Sequence, residues 1–315
     1  MFGARAVISI SAAILAVLAA APVTRAAEPA SCKTVRMSDP GWADITSTNA
    51  MLEVVLDGLG YRQKVETLSV PVTFESLKNN QLDVFLGNWM PAQERFVKPL
   101  METGALVTVT QNLQGIRFTL AVPDYVAAAG IKDFADLAAN ADKFEKKIYG
   151  IESGAPANQN IQKIIEANDF GLKSWMLVES SEQGMLSQVE KAKRAGKWIV
   201  FLAWEPHPMN AKYLPSYLSG GDKYFGANYG AASVHTVTRK GFAQDCPNLA
   251  KLLKQLTFEV GVENTIMGTI ADNGAVPRDA ARAELKKRPE LVKQWLDGVE
   301  TADGKPGLDA VMSKL

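Results

Sequence analysis

Three tryptophans stand where short apolar runs give way to glycine, proline or turn residues. Trp42 follows Asp39-Pro40-Gly41, Trp89 follows Gly87-Asn88, and Trp204 ends the apolar run 198–203 ahead of Glu205-Pro206. Each is expected at a strand-to-loop junction. In open α/β sheets, ligands settle outside the carboxyl ends of strands. Three large rings at equivalent places therefore point to one binding site rather than to three separate core positions. Trp175, Trp198 and Trp295 lack this context and read as core, the first two on strands and the third on a C-terminal helix. Asp44, two residues past Trp42, has two readings: a helix N-cap before Ile45-Thr46-Ser47, or a carboxylate facing a cation held by the rings. A quaternary ammonium has no N–H to share, but the negative faces of aromatic rings attract it, by about 0.5–2 kcal/mol each when desolvated. Three or four rings supply roughly 2–8 kcal/mol before the cost of association. A micromolar ligand needs about 8 kcal/mol, so methyl burial and an acidic partner must contribute too.

Other chemistry is hard to find. The sequence contains no Gly-x-Ser-x-Gly, no phosphate loop, no Gly-x-Gly-x-x-Gly and no His-Glu-x-x-His. Its two histidines are His207 and His235, and no His/Cys/acid grouping has metal-ligand spacing. Neither catalytic residues, a metal nor a cofactor is therefore expected. His207, between Pro206 and Pro208, reads as part of a rigid turn. A competing reading makes the chain an exported hydrolase using His207 or Glu205. A third makes it an amino-acid receptor, for which Arg117 is the candidate carboxylate partner, although strand alternation turns it away from the site.

The elements that must position these residues follow from the apolar pattern. Residues 1–26 read as a cleavable secretory leader: Arg5, then apolar and small residues from Ala6 to Ala21, then Thr24 and Ala26 before the cut. Its apolar run is short for a membrane span. The remaining 289 residues carry 32 Lys+Arg against 34 Asp+Glu, because Arg5 and Arg25 leave with the leader. Such a near-neutral chain has no general attraction for nucleic acid. Cys32 and Cys246 form an even pair in an exported chain, which suggests one disulfide; two free buried thiols are the alternative. Strands are expected at 34–37, 82–86, 117–122, 148–151, 175–178, 198–203 and 233–239. Helices are expected near 46–59, around Ile161 to Ile165, from Ser181 to Ala195 with a serine cap, and over most of 247–296. This alternation predicts an α/β fold with mainly parallel sheets. The best division is discontinuous: lobe one from 27–113 plus 238–315 and lobe two from 114–237, with the cleft between them.

Four stretches carry a family resemblance: Ser38 to Ile45, Asp83 to Pro91, Val178 to Leu186 and Trp204 to Asn210. Together they resemble the periplasmic choline-binding proteins of bacterial ABC uptake systems, within the wider glycine-betaine-binding group, over nearly all of the mature chain. The resemblance implies a two-lobed type II solute-binding fold, with each lobe a sheet flanked by helices. It places Trp42, Trp89 and Trp204 in an aromatic box with Asp44 by the ligand's charge and hydroxyl, and the Cys32–Cys246 pairing fits it. It implies a monomer that delivers a small quaternary ammonium ligand to an ABC permease in the inner membrane, without catalysis. Two positions depart from the pattern. Phe118 stands where the family has a tyrosine as fourth wall. Ala155, in Gly154-Ala155-Pro156, stands where the family has an asparagine that helps hold the hydroxyl. Asn158 is a candidate substitute, and His207 a further candidate contact. Choline ranks first because Asp44 disfavours a ligand carboxylate; carnitine, glycine betaine and trimethylamine N-oxide are the rivals.

Overall fold

The computed structural model describes Met1 and residues 28–315; the expected leader lies, but for Met1, outside the described residues. Nine strands organise the described residues: β1 (Thr34–Asp39), β2 (Arg62–Thr67), β3 (Val84–Met90), β4 (Leu106–Pro123), β5 (Lys147–Tyr149), β6 (Met176–Val178), β7 (Phe201–Trp204), β8 (Pro215–Tyr217) and β9 (Ala231–Arg239). They lie in the order β2-β1-β3-β9-β4-β7-β5-β6, with β8 paired to β4. β4 serves two sheets. Its residues Leu106–Arg117 pair with β9, Phe118–Ala121 pair with β7, and Ala121–Pro123 pair with β8.

The expectation of mainly parallel sheets is corrected. β1–β2, β1–β3, β5–β6 and β5–β7 are parallel, but β3–β9, β4–β9, β4–β7 and β4–β8 are antiparallel. The antiparallel ladders all involve β4 or β9, the two strands that link the sheets in opposite directions. The strand expected at 117–122 is the last third of β4. Its earlier part contains Gln111, Asn112, Gln114 and Gly115, which read as a loop. Bulges between Thr108 and Ile116 absorb these residues without ending the strand. β2 was not legible because its side chains are polar and mostly exposed on a sheet edge.

Helices cover the sheets. The helix Ala43–Leu59 is buried along most of its length. It packs against the helices Val260–Asn273, Pro277–Leu285 and Gly307–Met312. It begins three residues earlier than its apolar pattern suggests, which carries Asp44 into its first turn. The helix Glu182–Arg194 starts as expected: the Ser181 hydroxyl accepts from Gly184 N at 3.0 Å. Cys32 and Cys246 are disulfide-bonded, with Cα atoms 5.7 Å apart across 214 residues of chain. Trp295 is fully buried and its indole donates to Thr257 O at 2.9 Å. Trp175 and Trp198 precede β6 and β7 rather than lying within them, and both pack on Phe144. Among the described residues, no helix is long and apolar enough to cross a membrane, and no His/Cys/Asp/Glu group is arranged to hold a metal.

Candidate functional site

Backbone constraints place the rings. Gly41 adopts φ +92°, a conformation that favours glycine, and turns the chain from β1 so that Trp42 occupies the N-cap of the helix Ala43–Leu59. Trp89 lies inside β3, which runs past the expected end to Met90. Trp204 ends β7, and its backbone register partner on β4 is Phe118. The carbonyl of Trp204 accepts from Asn210 Nδ2 at 2.8 Å, and Asn210 Oδ1 accepts from the Tyr217 hydroxyl, which fixes the turn beyond the ring. Gly230, at φ +74°, lets the chain cross the Phe118 backbone: a Cβ there would lie 2.1 Å from Phe118 O.

The rings converge. Trp42, Asp44, Trp89, Ala92 and Gln93 line one side of a cavity. Phe118, Ile151, Pro156, Ala157 and Trp204 line the other. Phe118 lies between two indoles, with ring centroids 6.0 Å from Trp89 and 6.2 Å from Trp204. All three tryptophans are buried. The walls are thus apolar and aromatic, with very few polar side chains, as expected of a small-molecule site.

Asp44 is the acid of this cavity. Its Oδ2 accepts from Trp89 Nε1 at 3.0 Å, while Oδ1 is buried with no partner. Burial first, and the nearby Glu182 charge second, push its pKa up to about 8, against the lowering effect of the Trp89 bond. The capping reading of Asp44 is corrected. The N-cap position is Trp42, and Asp44 is the second residue of the helix. Asp39 instead organises the turn, accepting from Gly41 N at 2.7 Å and from Thr46 Oγ1 at 2.6 Å. Glu263, on the helix Val260–Asn273, is also fully buried with both oxygens unpartnered. Burial, then the Asp44 charge, hold its pKa well above the usual carboxylate range.

Two glutamates reach across the seam between the sheets. Glu152 accepts from Trp42 Nε1 at 3.0 Å. Glu182 Oε2 accepts from Ala43 N at 3.1 Å, satisfying a helix N–H that has no partner within its own helix. Glu182 Oε1 faces His207 Nε2 at 3.1 Å. His207 Nδ1 accepts from Met209 N at 2.9 Å, so the ring proton sits on Nε2 and points at Glu182. Both histidine nitrogens are therefore engaged in holding this seam.

Of the residues expected at the site, Trp42, Asp44, Trp89, Phe118 and Trp204 meet at the cavity, and Ala155, Asn158 and His207 are not among its lining residues. Ala155 caps the helix Pro156–Glu166, and its neighbours Pro156 and Ala157 form the wall instead. The Asn158 side chain is consumed by the backbone of Ile151 and Glu152 and by Glu179. Arg117 does turn away, pairing with Glu205 at 2.9 Å. Sequence reasoning missed Gln93, Glu152 and Glu182. Gln93 had a usable signal, since it lies four residues past Trp89 and one helical turn would return it to the ring; its N–H does donate to Trp89 O at 2.9 Å. The two glutamates had none, because the Trp42 and Ala43 groups that they reach are more than 100 residues away.

Comparison with known proteins agrees with this architecture. Residues 33–287 match the family described as the substrate-binding domain of ABC-type glycine betaine transport systems. An ABC-transporter choline-binding protein, solved in complex with choline, is 52% identical with a TM-score of 0.89, over 91% of this chain and 99% of that one. Lactococcal OpuAC, solved closed with glycine betaine, is 26% identical with a TM-score of 0.75, over 84% of this chain and 99% of that one. The glycine betaine/carnitine transport binding protein GbuC of Listeria monocytogenes is 28% identical over 208 residues, 66% of this chain and 64% of that protein. The fold is accordingly the two-lobed type II solute-binding fold. With most of its length matched by that family model and aligned with these structures, the chain belongs to the substrate-binding proteins of ABC-type glycine betaine and choline transport systems.

Proposed function

We propose that this chain is the periplasmic receptor of an ABC importer for choline or a close trimethylammonium compound, and that it performs no catalysis. The single observation that carries the reading is the convergence of Trp42, Trp89, Trp204 and Phe118 on one cavity that also holds the unpartnered Asp44 Oδ1. Ring faces attract an onium that cannot donate a proton, and the carboxylate supplies the opposite charge. A ligand carboxylate, as in glycine betaine or carnitine, would bring a second anion towards Asp44, so choline ranks ahead of both. The choline complex of the 52% identical relative supports the same order. In this reading residues 1–26 direct export and are removed. The mature monomer closes its lobes, 27–113 plus 238–315 and 114–237, over the ligand and presents it to the inner-membrane permease. Strand pairing supports a division close to this one: the sheets change over between Arg117 and Phe118 on the way out, and β9 returns from Ala231.

Isothermal calorimetry with choline, glycine betaine, carnitine and trimethylamine N-oxide tests the proposal. Choline is expected to bind most tightly, and Trp89→Ala and Trp204→Ala each to weaken it by at least about tenfold, the loss of about 1.4 kcal/mol. Both variants should keep the native circular dichroism spectrum. No binding of any of the four below millimolar concentration would refute the reading.

A further inference from the structure

Two of the three cavity tryptophans donate their indole N–H to a carboxylate. Trp89 Nε1 donates to Asp44 Oδ2 at 3.0 Å, and Trp42 Nε1 lies 3.1 and 3.0 Å from the two oxygens of Glu152. Asp44 lines the cavity; Glu152 does not, and stands at the outer edge of the Trp42 ring. Its own backbone holds it there. Glu152 O accepts from Asn158 Nδ2 at 3.0 Å and from Ala155 N at 3.1 Å, and the Asn158 amide also pairs with both N and O of Ile151. The placement is costly for an acid. Burial raises the Glu152 pKa, as do the nearby Glu182 and Glu179 charges, while the Trp42 bond favours the ionised form. A neutral amide in the same place would hold the Trp42 edge without that repulsion.

From this geometry we infer that Glu152 is a positioning residue of the onium site: it touches no ligand, and its charge sets the affinity for a cation through Trp42, whose N–H it accepts. An indole carries its positive potential at the ring edge and its negative potential on the faces. An anion accepting the N–H draws that proton outward and shifts electron density onto the ring, as hydrogen-bonded groups polarise one another. The faces then attract an onium more strongly. Two simpler roles predict different behaviour. A plain clamp needs only an acceptor and is indifferent to charge. A charge acting through space needs no indole N–H between itself and the ligand.

This inference rests on the onium reading above, and one set of titrations separates the two. Choline is titrated into the full mature protein, Glu152→Gln, Glu152→Ala, Trp42→Phe and the double variant Trp42→Phe with Glu152→Gln. Glutamine keeps an oxygen for the Trp42 N–H and loses the charge. Glu152→Gln should weaken choline by about three- to tenfold, without lowering the melting temperature of the unliganded protein, since a repulsion with Glu182 and Glu179 is removed. Glu152→Ala should weaken it at least as much. Phenylalanine at position 42 keeps a ring face and has no N–H. In that background Glu152→Gln should change the affinity by less than about twofold. An affinity of Glu152→Gln within about twofold of the wild type, or a fall in its melting temperature, marks a clamp or a structural role and overturns the inference. An effect of Glu152→Gln that persists undiminished beside Trp42→Phe marks a charge acting through space and also overturns it. Should Trp42→Phe bind no choline, Glu152→Asp decides, because the shorter side chain keeps the charge and withdraws it from the indole: an affinity as low as that of Glu152→Gln supports the inference and a wild-type affinity overturns it. Each of these failures leaves the onium reading standing. Failure of the wild type to bind choline overturns both.

Discussion

Asp44 couples the cavity to protons. Its folded value of about 8 lies above the ordinary 3.8, with burial as the main cause. Between about pH 4 and pH 8 the unliganded folded protein holds a proton at Asp44 that the unfolded chain has lost. The unfolded state then binds fewer protons, so Asp44 lowers folding stability as pH rises through that window. A cation in the cavity favours the ionised acid and drives this proton out. Choline affinity should therefore climb from pH 6 towards pH 8 and level off above it, and calorimetry near pH 7 in buffers of different ionisation enthalpy should register proton release. Asp44→Asn should flatten the pH profile, weaken binding, and raise the melting temperature of the unliganded protein at pH 8 by a few degrees. An affinity independent of pH in the wild type would show that Asp44 does not meet the ligand's charge. The identity of this acid was readable from its place two residues past a tryptophan. Its protonation was not, because that depends on burial and on Glu182, 138 positions further along the chain.

Elements decide how the two sides of the cavity are held together. The first turn of the helix Ala43–Leu59 is held by Glu182, the first residue of the helix Glu182–Arg194, and Glu182 is in turn held by His207 in the turn after β7. Removing this carboxylate leaves the half-buried Ala43 N–H and the buried His207 Nε2–H without an acceptor, the latter a loss of about 1–3 kcal/mol. Glu182→Ala should accordingly weaken choline binding by about tenfold or more, chiefly through faster dissociation, although Glu182 is not among the cavity-lining residues. Stopped-flow tryptophan fluorescence would measure the off-rate, and an unchanged one would remove Glu182 from the closing contacts. Helix and strand identities were mostly legible here, since alternation and serine capping mark β9 and the helix Glu182–Arg194 directly. The length of β4 was not. Gln111 to Gly115 carry loop chemistry, and only pairing with β9 through repeated bulges keeps them in the strand.

Across the whole molecule, the Cys32–Cys246 bridge ties the start of β1 to the C-terminal helices and closes a loop of 214 residues. Loop closure on that scale restrains the unfolded chain, and losing such a bridge removes about 2–5 kcal/mol of stability. Cys32→Ser with Cys246→Ser should lower the urea midpoint accordingly while leaving choline affinity within about twofold, because neither cysteine lines the cavity. A large loss of affinity would mean that the bridge sets the lobe geometry. Residue types and local spacing were enough to assign the α/β class and the paired cysteines and to single out Trp42, Trp89, Trp204 and Asp44, which line one cavity, although Trp89 lies inside β3 rather than past its end; periodicity and turn chemistry are short-range properties written along the chain. The mixed strand directions, the reach of Glu152 and Glu182 across the seam and the engagement of Asn158 came from folding. Each depends on which distant backbone and side-chain atoms arrive within about 3 Å of one another, and hydrogen bonding and burial are set by that proximity rather than by the neighbours in sequence.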